Sequence, residues 1–170
     1  MDDRRVLKNG IFPYLVQNEA YQKILFVGCK VYTRGYNEIF QEKDYVTLDI
    51  DPRQRRHGAK QHITDSLENL DQHFHENELD VIICNGVFGW GLNEKSAVET
   101  AIEKCHVCLR KDGILLLGWN DIPKRRPFPL EEVDNLKLFD EFTFPPFSAP
   151  RYATKTHNRH IYNFYTKSNI

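Results

Sequence analysis

The sequence predicts an α/β fold, and three observations carry that prediction. The first is a strand, a glycine turn, a helix and a second strand in succession. Lys23-Ile-Leu-Phe-Val runs into Gly28, Tyr36-Asn-Glu-Ile-Phe reads as a helix, and Tyr45-Val-Thr-Leu-Asp ends in an acid. A βαβ unit of this kind holds a nucleoside, because the turn lets backbone approach the ligand and the terminal acid takes the ribose hydroxyls. The second is Ile114-Leu-Leu-Leu, an uninterrupted apolar run of the sort a central parallel strand needs when both of its faces are covered. The third is the stretch from Glu94 to Leu109, in which Ala97, Val98, Ala101, Ile102, Cys105, Cys108 and Leu109 make one apolar helix face.

At 170 residues the chain has the length of one domain, enough for a continuous core and too little for a separate substrate domain. Any substrate site must then be built from loops. Lys and Arg total 23 against 24 acids, a formal charge of −1, so no global field draws the protein to nucleic acid or to an anionic membrane. The N-terminus lacks an apolar core of signal-peptide length, and no run approaches the roughly 18 apolar residues of a membrane span, which predicts a cytoplasmic protein. Cys29, Cys84, Cys105 and Cys108 fall at strand ends or within a helix and read as reduced thiols. No metal site is expected: His73 and His75, at i and i+2, do not share a helix face, and Cys105-His-Val-Cys belongs to an apolar one. Oligomeric state is not legible in the sequence.

Residues 1–22 form a polar head followed by Ile11-Phe-Pro-Tyr-Leu-Val, with Pro13 suited to the first turn of a short helix that packs beside the first strand or lids the site. Beyond Gly28, Val31, Tyr32, Tyr36, Ile39 and Phe40 recur at helical spacing, placing Tyr36 and Phe40 on one buried face. Asp49 and Asp51 point to the same side of their strand; Asp49 suits either a ribose or a helix start or turn, and Asp51, before Pro52, suits a turn. Arg53-Gln-Arg-Arg-His reads as a solvated basic face. Gln61-His-Ile-Thr is a short third strand, and after it Asp65 or Ser66 caps a helix with Glu68 in capping-box register to Asp65.

Leu79 to Cys84 is a buried strand. The run that follows, Cys84-Asn-Gly-Val-Phe-Gly-Trp-Gly-Leu-Asn, combines glycines, aromatics and amides in a loop suited to close approach to something flat. Asn93 is placed to cap the helix after it. The strand at Ile114 ends in Gly118-Trp-Asn-Asp, a second aromatic and amide cluster at the same sheet edge, and Lys124-Arg-Arg-Pro-Phe-Pro-Leu is a surface loop. Phe139-Asp-Glu-Phe-Thr-Phe and His160-Ile-Tyr-Asn-Phe-Tyr read as two strands joined by a long loop.

The turn separates two nucleoside-binding plans. A dinucleotide fold requires G-x-G-x-x-G, and the three glycine positions here hold Gly28, Lys30 and Thr33. S-adenosylmethionine has no pyrophosphate, so the later glycines are less strictly demanded. On these residues the chain resembles the class I S-adenosylmethionine-dependent methyltransferases. The resemblance runs from about Lys23 to Gly118. It takes in Asp49, His62-Ile-Thr-Asp-Ser where the family places the acid that meets adenine, Leu79 to Phe88 as the fourth strand with its loop, and Leu109-Arg-Lys-Asp-Gly leading into the fifth, with Asp112 in place of a usual glycine. It implies a Rossmann-like three-layer sandwich, a mostly parallel seven-stranded sheet with an antiparallel C-terminal strand. Residues 1–22 would be an N-terminal cap segment, 23–118 the cofactor-binding core, and 119–170 the acceptor-side loops and terminal hairpin. S-adenosyl-L-methionine is the implied cofactor, held by Gly28, Cys29, Tyr32 and Asn85 around the turn, by Asp49 and Ile50 at the ribose, and by Asp65 and Ser66 at the adenine.

Methyl transfer needs an aligned acceptor and, for a hydroxyl, removal of a proton. Asp121 or His160 would supply the base, or else be a turn residue before Ile122 and an edge-strand histidine; an amine needs no base, and Asn85 or Asn120 would hold it. Trp90, Asn93, Trp119 and Asn120 are the acceptor-binding candidates, with the two indoles either stacking on a small-molecule acceptor or closing the core. The run Asn85 to Asn93 and the Gly118-Trp-Asn-Asp cluster also resemble small methyltransferases associated with bacterial cell-surface polysaccharide synthesis, which implies a sugar or sugar-nucleotide acceptor. The family's usual acid two residues before the first glycine is Phe26 here, and Lys30 and Tyr32 stand where small residues are common. A catalytically inactive, methyltransferase-like binding or assembly subunit is therefore a second reading, and an NAD-dependent oxidoreductase a third.

Overall fold

The computed structural model describes residues 2–168. Eight strands follow one another as β1 (Lys23–Val27), β2 (Asp44–Asp49), β3 (Gln61–Thr64), β4 (Leu79–Asn85), β5 (Leu109–Asn120), β6 (Phe139–Glu141), β7 (Arg151–Ala153) and β8 (His160–Lys167). They form one sheet in the order β3-β2-β1-β4-β5-β8-β6. The strands from β1 to β5 pair in parallel, and β8 runs antiparallel to β5. The sheet is seven positions wide, as the family resemblance implies. The last position is shared: the long loop expected between the final two strands contributes β7, which pairs with β8 beyond the reach of β6. Among the described residues no helix is long and apolar enough to cross a membrane.

Alternation along the central strands builds the two outer layers. On one face Leu25, Val27, Ile82, Cys84, Leu115 and Leu117 meet α4 (Lys95–Cys108) through Val98, Ala101, Ile102 and Cys105. On the other, Ile24, Phe26, Val81, Ile83, Ile114 and Leu116 meet α1 (Asp3–Val6), α2 (Phe12–Gln17) and α3 (Tyr36–Ile39). Each large apolar side chain buried in this way contributes about 1.5–3 kcal/mol relative to exposure. Phe26 belongs to the second layer: its ring lies 5.4 Å from that of Tyr36, which in turn lies 4.9 Å from Phe12. An acid at position 26 would sit unpaired in that aromatic cluster, which is why the family's usual residue does not fit here.

The helices between strands are shorter than the spacing predicts. α3 is a single turn preceded by a 3-10 segment, Val31–Gly35, because Thr33, at the third glycine position, bonds back to Lys30 and tightens the chain. Its Oγ1 donates to the Lys30 carbonyl at 2.8 Å and accepts from the Lys30 N–H at 3.2 Å. The segment after β3 is likewise a 3-10 helix, Leu67–Gln72, and Ser66 caps it by accepting the Glu68 N–H at 3.2 Å. α4 begins from Glu94, not from a capping Asn93, whose Oδ1 instead accepts the Gly91 N–H at 3.4 Å. Asp112 stands for the family's glycine by taking the left-handed conformation itself, at φ 61°, which a short acid tolerates better than most residues.

Strand alternation also decides Trp119. Gly118 and Asn120 face the ligand end of the sheet, so Trp119 points the other way, 5% exposed in the α4 layer, edge-on to Phe88 at 6.0 Å. Its Nε1 donates to Asn163 Oδ1 at 2.8 Å. This corrects the acceptor-binding expectation for Trp119, which closes the core. Trp119→Ala should lower the unfolding free energy by about 3–5 kcal/mol in urea titration while leaving cofactor affinity intact. A loss below about 1 kcal/mol would take Trp119 out of the core.

Candidate active site

The carboxyl ends of β1, β2, β4 and β5 open onto a cavity of about 620 Å³. Gly28 forms part of its floor with φ 97°, and a Cβ there would lie 3.0 Å from the Asn85 carbonyl and 3.1 Å from Val87 Cγ2. Only glycine lets the turn pass so close to the end of β4. The Gly28 N–H donates to the Leu48 carbonyl at 3.0 Å. Asp49 then holds the turn from β2: its Oδ2 accepts the Cys29 N–H at 2.7 Å and its Oδ1 accepts the Asp51 N–H at 2.9 Å. A carboxylate has about four acceptor sites, so two remain for a ligand in the cavity that Asp49 lines. Ile50 lies beside it on the cavity wall, an apolar side chain 69% exposed. The Cys29 side chain does not line the cavity; it is fully buried, and burial pushes its thiol up to about 11. Cys29 thus serves the turn through its backbone. Asp51 is a turn residue, capping Pro52–His57 and paired with Arg53.

Asp65 and Ser66 line the same wall. Since Ser66 is the cap, Asp65 is free of that duty, and its carboxylate is instead occupied by neighbours. Oδ1 accepts from Asn69 Nδ2 at 2.9 Å and from the Ser66 N–H at 2.7 Å, and Oδ2 meets His73 Nε2 at 2.7 Å. The Asn69 amide and then His73 hold its carboxyl well below the ordinary range, at about 2.

One side of the cavity carries a polar chain whose direction follows from its first member. An indole can only donate, so Trp90 Nε1, 2.9 Å from Asn120 Oδ1, fixes the Asn120 amide. Asn120 Nδ2 must then donate, to His160 Nδ1 and the Asn158 carbonyl, each at 3.2 Å. With its Nδ1 lone pair engaged, His160 carries its proton on Nε2 and donates to Asn85 Oδ1 at 2.9 Å. Asn85 is left with its Nδ2 hydrogens at the cavity. Gly118 lies beneath: a Cβ would overlap Asn85 Oδ1 and sit 2.9 Å from His160 Nε2.

Two expectations change here. His160 is not an edge-strand residue, since β8 is paired on both sides, and with both nitrogens committed it has no lone pair with which to serve as base. It is 3% exposed, and desolvation pulls its pKa down to about 4. Asp121 does not line the cavity; its carboxylate is held by Arg126 and, at 3.6 Å, by Arg159. Trp90, Asn93, Asn120 and Tyr32 do line it. Trp90 is 49% exposed with the Arg125 guanidinium 3.3 Å over its ring, so one indole face is already covered.

Asp3, Arg4 and Lys30 line the cavity as well; Lys30 stood out only as a departure from the glycine pattern, and Asp3 and Arg4 in no pattern at all. The first two come from a charged head with no motif, delivered across the fold by α1. Over the whole wall the carboxylates Asp3, Asp49, Asp51, Asp65, Glu68 and Glu94 outnumber the cations Arg4 and Lys30.

The fold and this site define a nucleoside-binding α/β enzyme domain. The model of the methyltransferase domain family matches residues 25–117, and the chain belongs to that family. No curated protein matches the sequence. Among solved structures the chain is similar to N-methyltransferase NodS from Bradyrhizobium japonicum WM9, with 15% identity, TM-score 0.70 and 99% of each chain covered. The same enzyme in complex with S-adenosyl-L-homocysteine aligns with TM-score 0.66 and 17% identity, over 98% of this chain and 93% of that one. A Burkholderia thailandensis 1,6-didemethyltoxoflavin-N1-methyltransferase, with bound 1,6-didemethyltoxoflavin and S-adenosylhomocysteine, aligns with TM-score 0.62 and 16% identity, over 98% and 82%.

The depressed pKa of His160 has a measurable consequence. The unfolded imidazole titrates near 6.5 and the folded one near 4, so between these values the unfolded state binds more protons. Stability contributed by this residue is present above pH 6.5 and lost as the pH falls toward 4, on the order of 3 kcal/mol in all. His160→Gln should flatten that part of the urea-unfolding profile. An unchanged slope would mean that another group titrates there.

Proposed function

We propose that the chain acts as a single methyltransferase domain that moves the methyl group of S-adenosylmethionine onto a small-molecule acceptor, and that the reacting atom of the acceptor is a neutral amine nitrogen. Residues 23–118 form the cofactor core, 1–22 its cap, and 119–170 the acceptor side. Four unpaired buried cysteines accord with a cytoplasmic, reducing location.

The residues present fit the cofactor. The cradle at Gly28 would be filled by any side chain, and the acid-rich wall suits a sulfonium cation while opposing the pyrophosphate of a dinucleotide. Asp49 takes the ribose hydroxyls with its remaining acceptor sites, Ile50 covers the adenine face, and Asp65 offers the adenine its one unengaged acceptor position. When bound, the cofactor supplies an electrophilic methyl group on sulfur.

The observation that carries the amine reading is the directional chain from Trp90 to Asn85. It presents donor hydrogens from Asn85 at the acceptor end, spends the only imidazole lone pair internally, and leaves Asp121 tied to arginine outside the cavity. No positioned base remains among the candidates, so an acceptor that needs none is favoured. Asn120 Oδ1, with one lone pair left beside the Trp90 bond, accepts from the amine N–H, Asn85 Nδ2 donates to another atom of the acceptor, and Trp90 bounds it on one side. A sugar or sugar-nucleotide acceptor would have Trp90 alone to stack on, and a phosphorylated one would face the carboxylate wall.

Calorimetric titration with S-adenosylhomocysteine and with NADH side by side tests the cofactor. Binding of the first alone is expected; binding of NADH alone would point to an oxidoreductase, and binding of neither to an assembly subunit. Asp49→Ala should cost about 2–4 kcal/mol of S-adenosylhomocysteine affinity. Unchanged affinity would remove Asp49 from the ribose site.

A further inference from the structure

The two cations of the cavity wall both stand at the Gly28 end. Lys30 belongs to the turn itself, and the Arg4 guanidinium lies 3.7 Å over the ring of Tyr32 in the same turn. Arg4 has no ion pair with a carboxylate among the described residues. Facing this end is Asp3, whose one basic contact within 4 Å among the described residues is His160 Nδ1 at 3.7 Å, a nitrogen that carries no proton. Two ionic side chains of opposite sign, adjacent in sequence, thus line one end of a cavity without neutralising one another.

Their placement is built. The carbonyl of Asp3 accepts a hydrogen bond from the hydroxyl of Tyr162 at 2.7 Å, and Tyr162 is fully buried in the middle of β8. Val6, Leu7, Ile11 and Phe12 then pack the following turns against Phe26 and its neighbours. The segment that covers Phe26, the position where the family usually keeps an acid, is therefore the one that brings Asp3 into the cavity. Burial, and then the neighbouring Asp2 carboxylate, raise the Asp3 carboxyl, as expected of a group awaiting a cation.

Resting on the cofactor reading above, we infer that Asp3 and Arg4 are the receptor for the zwitterionic amino-acid end of the cofactor. Asp3 takes the α-ammonium, and Arg4, with Lys30 beside it, takes the α-carboxylate. A zwitterion needs one charge of each sign within a few ångströms, and no other stretch of the wall offers both.

The test compares S-adenosylhomocysteine with 5′-methylthioadenosine, which has the same nucleoside and lacks the amino-acid end, by calorimetry on the full chain. Asp3→Asn and Arg4→Gln should each weaken S-adenosylhomocysteine binding by about tenfold or more and leave 5′-methylthioadenosine binding unchanged. The second ligand also reports whether each variant has kept its fold. Unchanged S-adenosylhomocysteine affinity in both variants, or a parallel loss for both ligands, would overturn the inference while the cofactor reading stands. A wild-type chain that binds neither ligand would overturn both.

Discussion

The carboxylate of Asp49 ties three pieces of the molecule together. It ends β2, accepts from the backbone of the turn that ends β1, and holds the start of the loop that leads toward β3. The turn it anchors is the one that crosses Asn85 at the distance only glycine permits, so the position of the β4 end depends on it as well. Charge-assisted bonds from backbone N–H groups are among the stronger hydrogen bonds available, and here two of them set the floor of a cavity. A ligand that uses the remaining oxygen sites joins a carboxylate already fixed in place and costs little further ordering.

Much of this was legible in the sequence because it is local. Apolar runs of strand length marked β1, β2, β4 and β5, and the spacing from Gly28 to Asp49 marked the turn and its acid. The 3.6-residue pattern located α4 to within a residue. What failed was of two kinds. Trp119 and Asn120 are adjacent on a strand and cannot both face one site; that period-two constraint was available, and a cluster of attractive residue types overrode it. By contrast, the bond from His160 to Asn85 joins residues 75 positions apart, and Asp3 reaches the cavity only because α1 and α2 fold back over Phe26. No local pattern encodes such meetings. The capping role of Ser66 over Asp65 was undetermined for a third reason, since both residues are good caps and packing chose between them.

The chain from Trp90 to Asn85 shows why neutral groups are used where the sheet is most buried. Asn85, Asn120 and His160 are each under a tenth exposed, and an ion in that position would cost several kcal/mol to desolvate without a fixed partner. Carboxamides and a neutral imidazole incur less, provided every donor meets an acceptor, and here each link satisfies the next. The same rule imposes the histidine tautomer through the Asn120 amide. Gly118 is part of the arrangement, because a side chain there would occupy the space in which Asn85 and His160 meet.

Charge is unevenly distributed over the cavity wall. Six carboxylates face two cations, Arg4 and Lys30, and the chain from Trp90 to Asn85 is itself uncharged, with Asp3 Oδ2 3.7 Å from its His160 Nδ1. On the amine reading proposed above, a sulfonium in this cavity would have carboxylates to favour its binding, and the acceptor would meet the neutral chain that ends in Asn85. Transfer from sulfonium to a neutral amine moves one positive charge and neither creates nor cancels any. A pre-oriented chain of neutral dipoles has little reorganising to do for such a reaction. Transfer to a hydroxyl would instead have to create an alkoxide or dispose of a proton beside a histidine whose lone pair is already taken. That asymmetry ties the buried chain to the chemistry at the acceptor end.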